Sequence, residues 1–226
     1  MAAAESLICA MKALIFANGK AKNGVMVGRA LSDVEGALII AADGGARLAS
    51  KLGFSPHIVI GDMDSLSSDE LHQLEQDGAK LCRYPPEKDE TDLELALIVA
   101  AEKGATWIRV LGATGGRFDQ TLANVYLLAL PQLDNIDIAL VAKKQIIRLF
   151  RAGQHTIHGA VGDTISLIPV SGDVFGITTH NLQYPLRDET LHFGPARGIS
   201  NVMQAETAQI SVGDGWVLCV HTVGRA

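Results

Sequence analysis

A change of hydrophobic period near residue 144 is the feature of this 226-residue sequence that most limits its possible folds. Before that point, short apolar runs alternate with segments in which apolar residues recur every three or four positions, which is typical of strands alternating with helices. After it, polar and apolar residues alternate, which is the pattern of half-buried strands. We therefore predict an α/β part followed by an all-β part.

The N-terminal part is predicted to hold a mainly parallel sheet with helices on both faces, because strands separated by helices are joined by crossover connections. One predicted helix places Leu93, Ala96 and Ala100 on a single face. A second predicted helix begins near residue 118, and its apolar face consists of Phe118, Leu122, Val125 and Ala129. The predicted strands are residues 13–17, 37–42, 58–60, 107–111 and 136–141.

The C-terminal part is predicted to be a small β-sandwich. Residues 164–168, 190–193 and 209–212 follow the strand period, and turns rich in glycine, serine and aspartate separate such runs. We predict two domains, an α/β domain over residues 1–143 and a β-sandwich domain over residues 144–226.

Charge and cysteine content exclude several classes of protein. The formal net charge is −6 and no basic stripe is present, so nucleic acid is not an expected partner. No apolar stretch is long enough to span a membrane. Cys9, Cys82 and Cys219 are far apart and form no paired motif, which indicates reduced thiols and a cytoplasmic protein.

Two acidic segments follow predicted strands, at the sheet edge where α/β proteins bind ligands. Asp43, Gly44 and Gly45 come after the second strand, and the glycines would let the backbone approach an anion at a helix N-terminus. Asp62 and Asp64 follow the third strand, and their hard oxygen ligands suit Mg²⁺. A tight turn and an exposed acidic loop are the structural alternatives for these two segments.

A third acidic segment opens the long predicted helix. Asp89 and Asp92 are three residues apart and therefore face the same way on its first turn, next to Lys88. Helix capping is the structural alternative for one of these carboxylates.

A fourth segment lies between the predicted strand at 107–111 and the following helix. Its glycines allow a close backbone approach beside Thr114, Arg117 offers a fork of donors to phosphate, and Asp119 lies in the first turn of the helix. Together with the acidic segments, this composition favours metal-assisted phosphoryl chemistry, which depends on positioning and on charge neutralisation.

The ordered motifs resemble the thiamin pyrophosphokinase family. The resemblance spans most of the chain and is carried by Ala-Asp-Gly-Gly at 42–45, Gly-Asp-Met-Asp-Ser at 61–65, Glu-Lys-Asp-Glu-Thr-Asp at 87–92, Gly-Gly-Arg-Phe-Asp-Gln at 115–120 and Gly-Ile-Ser-Asn at 198–201. It implies an ATP-binding α/β domain, a C-terminal β-sandwich, and a homodimer that holds thiamin between subunits.

The resemblance also implies roles for single residues. It implies that Asp62, Asp64 and Asp92 bind Mg²⁺, with Asp89 close by. The expected ATP-binding residues are Asp43, Gly44, Gly45, Lys88, Thr114 and Arg117. The expected thiamin-binding residues are Asp119, Ser200, Asn201 and Trp216, the last because an aromatic face suits the cationic thiazolium ring.

The implied reaction is attack by the thiamin hydroxyl on the β-phosphorus of ATP, with release of AMP. We expect Asp119 to orient or deprotonate that hydroxyl. Two alternatives are a pyrophosphokinase for another small alcohol, such as a pterin, and a nucleotide- or thiamin-sensing protein without turnover. A structural scaffold would leave the carboxylates unexplained.

Overall fold

The computed structural model describes residues 11–19, 23–32 and 34–225 of the chain. Cys9, expected to be a reduced thiol, lies outside these residues. The chain divides into two compact units: the first holds residues 1–20 and 32–138, and the second holds residues 21–31 and 139–226. The division thus falls after residue 138, whereas the sequence predicts a domain boundary after residue 143.

The first unit is built on five parallel strands in the order β5-β1-β2-β3-β4. The prediction of a mainly parallel sheet with helices between its strands is therefore confirmed. The strands are β1 (Met11–Phe16), β2 (Leu38–Ala42), β3 (Ile58–Gly61), β4 (Lys80–Arg83) and β5 (Ala105–Leu111). The helices of this unit are α2 (Gly45–Lys51), α3 (Ser68–Gln76), α4 (Asp92–Glu102) and α5 (Phe118–Tyr126).

The order of these strands determines where a ligand site can form. From β1 the chain moves stepwise towards β4, and it then returns to β5 on the other side of β1. The connections that leave β1 and β5 consequently diverge, and such a switch point leaves a crevice beyond the carboxyl ends of the two strands.

Two helices begin at residues whose side chains cap them. Ser67 and Glu70 form a reciprocal capping box at the start of α3. At the start of α4, the Thr91 side chain accepts a hydrogen bond from the Glu94 backbone N–H. Leu93, Ala96 and Ala100 are buried, so this helix packs with the predicted face. Because Thr91 supplies the cap, Asp92 is not needed for that role.

Helix α5 reverses the predicted orientation. Phe118 and Leu122, predicted on a common apolar face, are 77% and 39% exposed, and residue 129 lies beyond the end of the helix. Asn124 is the buried residue of α5. The apolar face is turned outwards and part of the polar face inwards, because a polar cavity, and not the apolar core, lies beside the helix.

The second unit contains one short helix and two antiparallel sheets, with strand orders β12-β9-β14-β7-β6 and β11-β10-β13-β8. The prediction of an antiparallel all-β C-terminal part is confirmed. The helix is α1 (Val25–Leu31). The strands are β6 (Asp137–Ala142), β7 (Gln145–Phe150), β8 (Gly153–His158), β9 (Thr164–Pro169), β10 (Val174–His180), β11 (Glu189–Leu191), β12 (Asn201–Val202), β13 (Thr207–Val212) and β14 (Val217–Thr222).

Side chains from both sheets form one apolar core. Ile165 and Val217 come from one sheet and Ile177 and Ile210 from the other, and all four are fully buried. Alternation along β13 buries Ala208, Ile210 and Val212, which is what a strand with one buried face requires.

A buried polar pair lies at one end of this unit. His221 Nε2 lies 2.8 Å from Asp163 Oδ2, and both side chains are almost fully buried. The Asp163 carboxylate also accepts hydrogen bonds from the backbone N–H groups of Ala160 and Gly224. The pair thus ties β14 and the residues after it to the turn at 160–163. Among the described residues, no helix is long and apolar enough to cross a membrane.

Candidate active site

Three aspartates meet at the carboxyl edge of the parallel sheet. Asp43 follows β2, Asp62 follows β3 and Asp92 begins α4. One carboxylate oxygen from each lies within 4.8 Å of the others. Because unscreened carboxylates this close repel one another, the arrangement favours a cation among them. We call Asp43, Asp62 and Asp92 the acidic cluster.

The backbone around the acidic cluster is shaped to bring the carboxylates together. Gly61 has φ +149°, and a Cβ atom there would lie 3.0 Å from Asp92 Cγ and 3.1 Å from Asp43 Cβ. Asp43 and Met63 adopt left-handed φ values of 45° and 66°. Such conformations are strained for residues other than glycine and concentrate at functional sites.

One oxygen of the cluster is left without a protein partner. Asp43 is 5% exposed, and its Oδ1 is buried with no hydrogen-bond donor among the described residues. A buried carboxylate oxygen without a partner costs free energy in the absence of a ligand. The orphaned oxygen, together with the close approach of Asp43 and Asp92 that Gly61 allows, fits a hard cation.

Lys88 supplies a positive charge beside the cluster. Its Nζ lies 2.9 Å from Asp92 Oδ1, and its side chain is only 10% exposed. The contact is an ion pair, and Asp92 Oδ1 has no hydrogen-bond partner among the described residues. Burial raises the pKa of Asp92, and Asp62 and Asp43 add to the rise while Lys88 opposes it. The same ion pair raises the pKa of Lys88 against the effect of burial.

The other two predicted metal ligands are exposed and lie outside this cluster. Asp64 lies two residues after Asp62, and its backbone N–H donates to Asp62 Oδ1, which stabilises the side chain of that cluster residue. The Ser65 hydroxyl donates to Asp64 Oδ1 and accepts from Asn18 Nδ2. Asp89 is exposed at the turn before α4.

A cavity of about 440 Å³ adjoins the acidic cluster at the switch point between β1 and β5. Asp43, Lys88 and Asp92 form one side of it, and Thr114 lies in the loop after β5. Its remaining polar wall comes from α5 and the residue before it, where Arg117, Gln120, Thr121 and Asn124 recur at helical spacing.

Several cavity residues were not predicted from the sequence. Asn124 Nδ2 donates to the Ala113 carbonyl oxygen at 2.7 Å and so stabilises the loop after β5. Asn18 and Thr91 also line the cavity. The polar stripe at 117, 120, 121 and 124 is the sequence signal for the residues on α5. The sequence pattern predicts that the opposite, apolar face of this helix packs against the protein.

The glycines of the site serve different purposes. A Cβ atom on Gly45 would lie 1.9 Å from the Phe16 carbonyl oxygen, and one on Gly44 would lie 2.4 Å from Asn18 Oδ1. These two glycines therefore allow α2 to pack against the end of β1, as expected of a tight strand-to-helix turn. For Gly115 and Gly116, no atom of the described residues lies within 4 Å of where a Cβ atom would be. Packing within this part of the chain does not require glycine at either position.

Asp119 is not part of the acidic cluster and is held by Arg117. The Arg117 guanidinium contacts the Asp119 carboxylate at 2.5 Å, and both side chains are more than half exposed. The hydrogen bond from Arg117 lowers the pKa of Asp119. Arg117 lines the cavity, whereas Asp119 does not; this carboxylate is at the rim.

In the second unit, the segment 198–201 borders a smaller cavity of about 180 Å³. Asn201 lines it, yet its side chain accepts from the backbone N–H groups of Tyr184 and Val202 and donates to the Tyr184 carbonyl oxygen. Ser200 is exposed, has φ +58°, and its N–H donates to the Ser166 hydroxyl. Asn201 therefore shapes the segment, and Ser200 is an exposed residue within it.

Trp216 precedes β14 and is 37% exposed. The Arg151 guanidinium lies over its ring at 5.0 Å, so a cation already occupies one face of the indole. The backbone N–H of Trp216 donates to the Ser171 hydroxyl.

Comparison with known families gives two matches in series. Residues 34–140 match the model of the thiamin pyrophosphokinase catalytic domain. Residues 154–217 match the thiamin pyrophosphokinase vitamin B1 binding domain. Among curated proteins, the chain is 33% identical over 189 residues to a thiamine pyrophosphokinase of Bacillus subtilis, covering 83% of this chain and 88% of that protein.

Solved structures show the same similarity. Thiamine pyrophosphokinase from Bacillus subtilis superposes with a TM-score of 0.83 at 29% identity, over 94% of this chain and 99% of that one. Thiamin pyrophosphokinase from Geobacillus thermodenitrificans superposes with a TM-score of 0.81 at 28% identity, over 94% and 97% of the two chains. The similarity includes both units.

Proposed function

Because the chain belongs to the thiamin pyrophosphokinase family, its reaction is the transfer of a diphosphate group to thiamin, and we propose that ATP is the donor and Mg²⁺ the metal. The observation that carries the proposal is the acidic cluster beside the cavity at the switch point. Hard carboxylate oxygens next to a phosphate-sized polar cavity are the donor set that Mg²⁺ uses in such enzymes.

Asp43, Asp62 and Asp92 are the proposed holders of the metal. The orphaned Oδ1 of Asp43 and the close approach of Asp43 and Asp92 that Gly61 allows support this choice. Asp64 and Asp89 remain proposed ligands on the strength of the sequence motifs, and both lie within three residues of a cluster residue. When bound, Mg²⁺ would neutralise phosphate oxygens and stabilise charge on the leaving group.

ATP is proposed to occupy the cavity beside the cluster. Lys88 and Arg117 are the cationic side chains in its lining, and Thr114 adds a hydroxyl in the loop after β5. Gly44 and Gly45 are proposed to contribute backbone at the opposite side, where their lack of Cβ atoms brings α2 close to β1. A cavity of about 440 Å³ is in the range of small-ligand sites.

In the proposed reaction, the thiamin hydroxyl oxygen bonds to the β-phosphorus of ATP. The bond from that phosphorus to the oxygen bridging the α-phosphorus breaks, AMP leaves with that oxygen, and the hydroxyl proton is released. Asp119 is proposed to orient the hydroxyl or to accept its proton. Its exposure at the rim, next to a cavity residue, supports a position facing the second substrate.

Thiamin is proposed to bind between two copies of the chain, at Asp119 and at Ser200, Asn201 and Trp216. Each of the two candidate regions carries exposed apolar side chains that a second copy would cover. Phe118, Leu122 and Tyr126 form an outward stripe on α5, while Tyr184 and Ile199 are exposed at the smaller cavity. Large exposed apolar surfaces of this kind mark interfaces.

A reducing compartment, the cytoplasm, is the proposed location. Cys82 and Cys219 are free thiols in the described part of the chain. Burial raises the pKa of Cys219 to about 12, so this thiol is unreactive and suits a structural position.

Product analysis tests the proposed function. Purified protein is incubated with thiamin, ATP and Mg²⁺, and the products are identified by mass spectrometry. Thiamin diphosphate together with an equal amount of AMP is the expected result, and chelation of the metal should abolish it. Formation of thiamin monophosphate with ADP, or of no product from thiamin, would refute the proposal. In a separate control, a pterin in place of thiamin should not be converted.

A further inference from the structure

Lys88 is held against the acidic cluster and does not extend into solvent. Its ammonium lies 2.9 Å from Asp92 Oδ1, with 10% of the side chain exposed. A flexible, strongly hydrated side chain is held in this way only where the local negative charge compensates for the lost hydration and rotamer freedom. Three carboxylates with oxygens within 4.8 Å of one another provide that charge.

We propose that Lys88 is the resident counter-ion of the acidic cluster and that a divalent cation competes with its ammonium for Asp92. This inference rests on the proposed metal site. Asp92 Oδ1 is buried, and Lys88 Nζ is at ion-pair distance from it. A metal bound through that oxygen would be placed against the ammonium, and the repulsion between the two cations excludes both from the same position.

The position of Lys88 also determines where the displaced ammonium goes. The residue lines the cavity proposed for ATP, and Lys is a common point-charge partner for phosphate. A nucleotide in the cavity therefore draws Lys88 away from Asp92 and leaves that oxygen to the metal. Metal and nucleotide binding are thereby coupled, and each favours the other.

The coupling predicts opposite effects of one substitution on two ligands. In Lys88→Met, the full chain should bind Mn²⁺ without nucleotide about tenfold more tightly than the wild type, because the competing cation is gone. The same variant should bind a non-hydrolysable ATP analogue with Mn²⁺ about tenfold more weakly, because the phosphate partner is gone. The free Mn²⁺ concentration is measured by electron paramagnetic resonance, and the analogue is titrated calorimetrically.

Two further variants control for charge and folding. Lys103→Met removes the same charge at the exposed C-terminal end of α4, so both affinities should match the wild type. Lys88→Arg keeps the charge and should bind Mn²⁺ no more tightly than the wild type. Circular dichroism establishes that each variant is folded before it is titrated.

An Mn²⁺ affinity of Lys88→Met equal to or weaker than that of the wild type would overturn the inference, as would an equal gain in Lys88→Arg. If the wild type still converts thiamin to thiamin diphosphate in that case, the proposed function stands and only the counter-ion role of Lys88 falls. If the wild type makes no product, the proposed function itself has failed.

Discussion

A Cβ atom on Gly61 would lie 3.0 Å from Cγ of Asp92, so the space beside this glycine is occupied by a carboxylate of α4, the third element after β3 in the chain. Gly61 also has φ +149°, a value that residues with side chains rarely adopt. Glycine is therefore required at position 61 both for the backbone conformation and because a side chain would clash with Asp92.

Gly61→Ala should disrupt the acidic cluster. We expect turnover to fall at least about tenfold and the free energy of unfolding to fall by about 1–3 kcal/mol, because the methyl group displaces Asp92 and the backbone is strained. Gly78→Ala is the matched control, since Gly78 has φ +89° and open space around its missing Cβ. Gly78→Ala should lose stability but keep the wild-type turnover. Steady-state kinetics and urea denaturation separate the two effects; full activity in Gly61→Ala would refute the role.

Asp119→Asn should reduce turnover far more than nucleotide affinity. The expected fall in kcat is about 100-fold, the usual size of a general-base contribution, while the affinity for ATP stays near the wild-type value because Asp119 lies outside the cavity lining. Asp69→Asn removes a first-turn carboxylate from another helix, α3, and should leave both quantities unchanged. An unaltered kcat in Asp119→Asn would exclude Asp119 from the chemical step.

The buried pair of His221 and Asp163 predicts a dependence of stability on pH. Burial lowers the pKa of His221 despite the contact with Asp163, so the folded protein holds a neutral imidazole. The unfolded chain takes up a proton near the ordinary histidine pKa of about 6.5, and stability is therefore complete above that value and is lost as the pH falls below it towards the lowered pKa of the folded state.

Thermal unfolding at a series of pH values measures this dependence. The melting temperature of the wild type should fall between about pH 7.5 and about pH 5.5, and His221→Gln should flatten that slope because it removes the group that titrates near about 6.5. His72→Gln is the control, because His72 is 78% exposed. Equal slopes in the wild type and His221→Gln would contradict the assignment.

The outward stripe on α5 predicts a change of oligomeric state. Leu122→Asp introduces a charge in the middle of the stripe formed with Phe118 and Tyr126, and it should convert a dimer to monomers with loss of activity. Val161→Asp places the same charge at an exposed apolar residue of the second unit, 66% exposed, and should leave the dimer intact. Sedimentation velocity measures both; a Leu122→Asp variant that remains dimeric would exclude this face.

The sequence predicts the fold class because the hydrophobic period of each segment and the order of the segments along the chain are compatible with few folds. Strands that alternate with helices need parallel pairing, and period-two strands need an antiparallel arrangement with one buried face. Asp62 and Asp92 were predicted to share a site because each lies next to the end of a strand or the start of a helix, and the structure brings their carboxylates together.

The details of the site were harder to predict, for physical reasons. Asp43 is expected beside ATP and lines the proposed ATP cavity. Its oxygen also joins the acidic cluster because β2 and β3 are hydrogen-bonded neighbours, and chain order does not give that distance. The orientation of α5 could not be predicted because an amphipathic pattern shows two faces of a helix but not which face packs against the protein. Asn124 is buried on the polar face, so the polar face is the one that packs.

The most direct test of the acidic cluster is an anomalous difference map from a crystal of this protein grown with Mn²⁺ and a non-hydrolysable ATP analogue. A peak in direct contact with carboxylate oxygens of Asp62 and Asp92, beside Asp43 and next to the analogue's phosphates, is the result that we predict. A peak elsewhere, or carboxylates that point apart into solvent, would contradict the account.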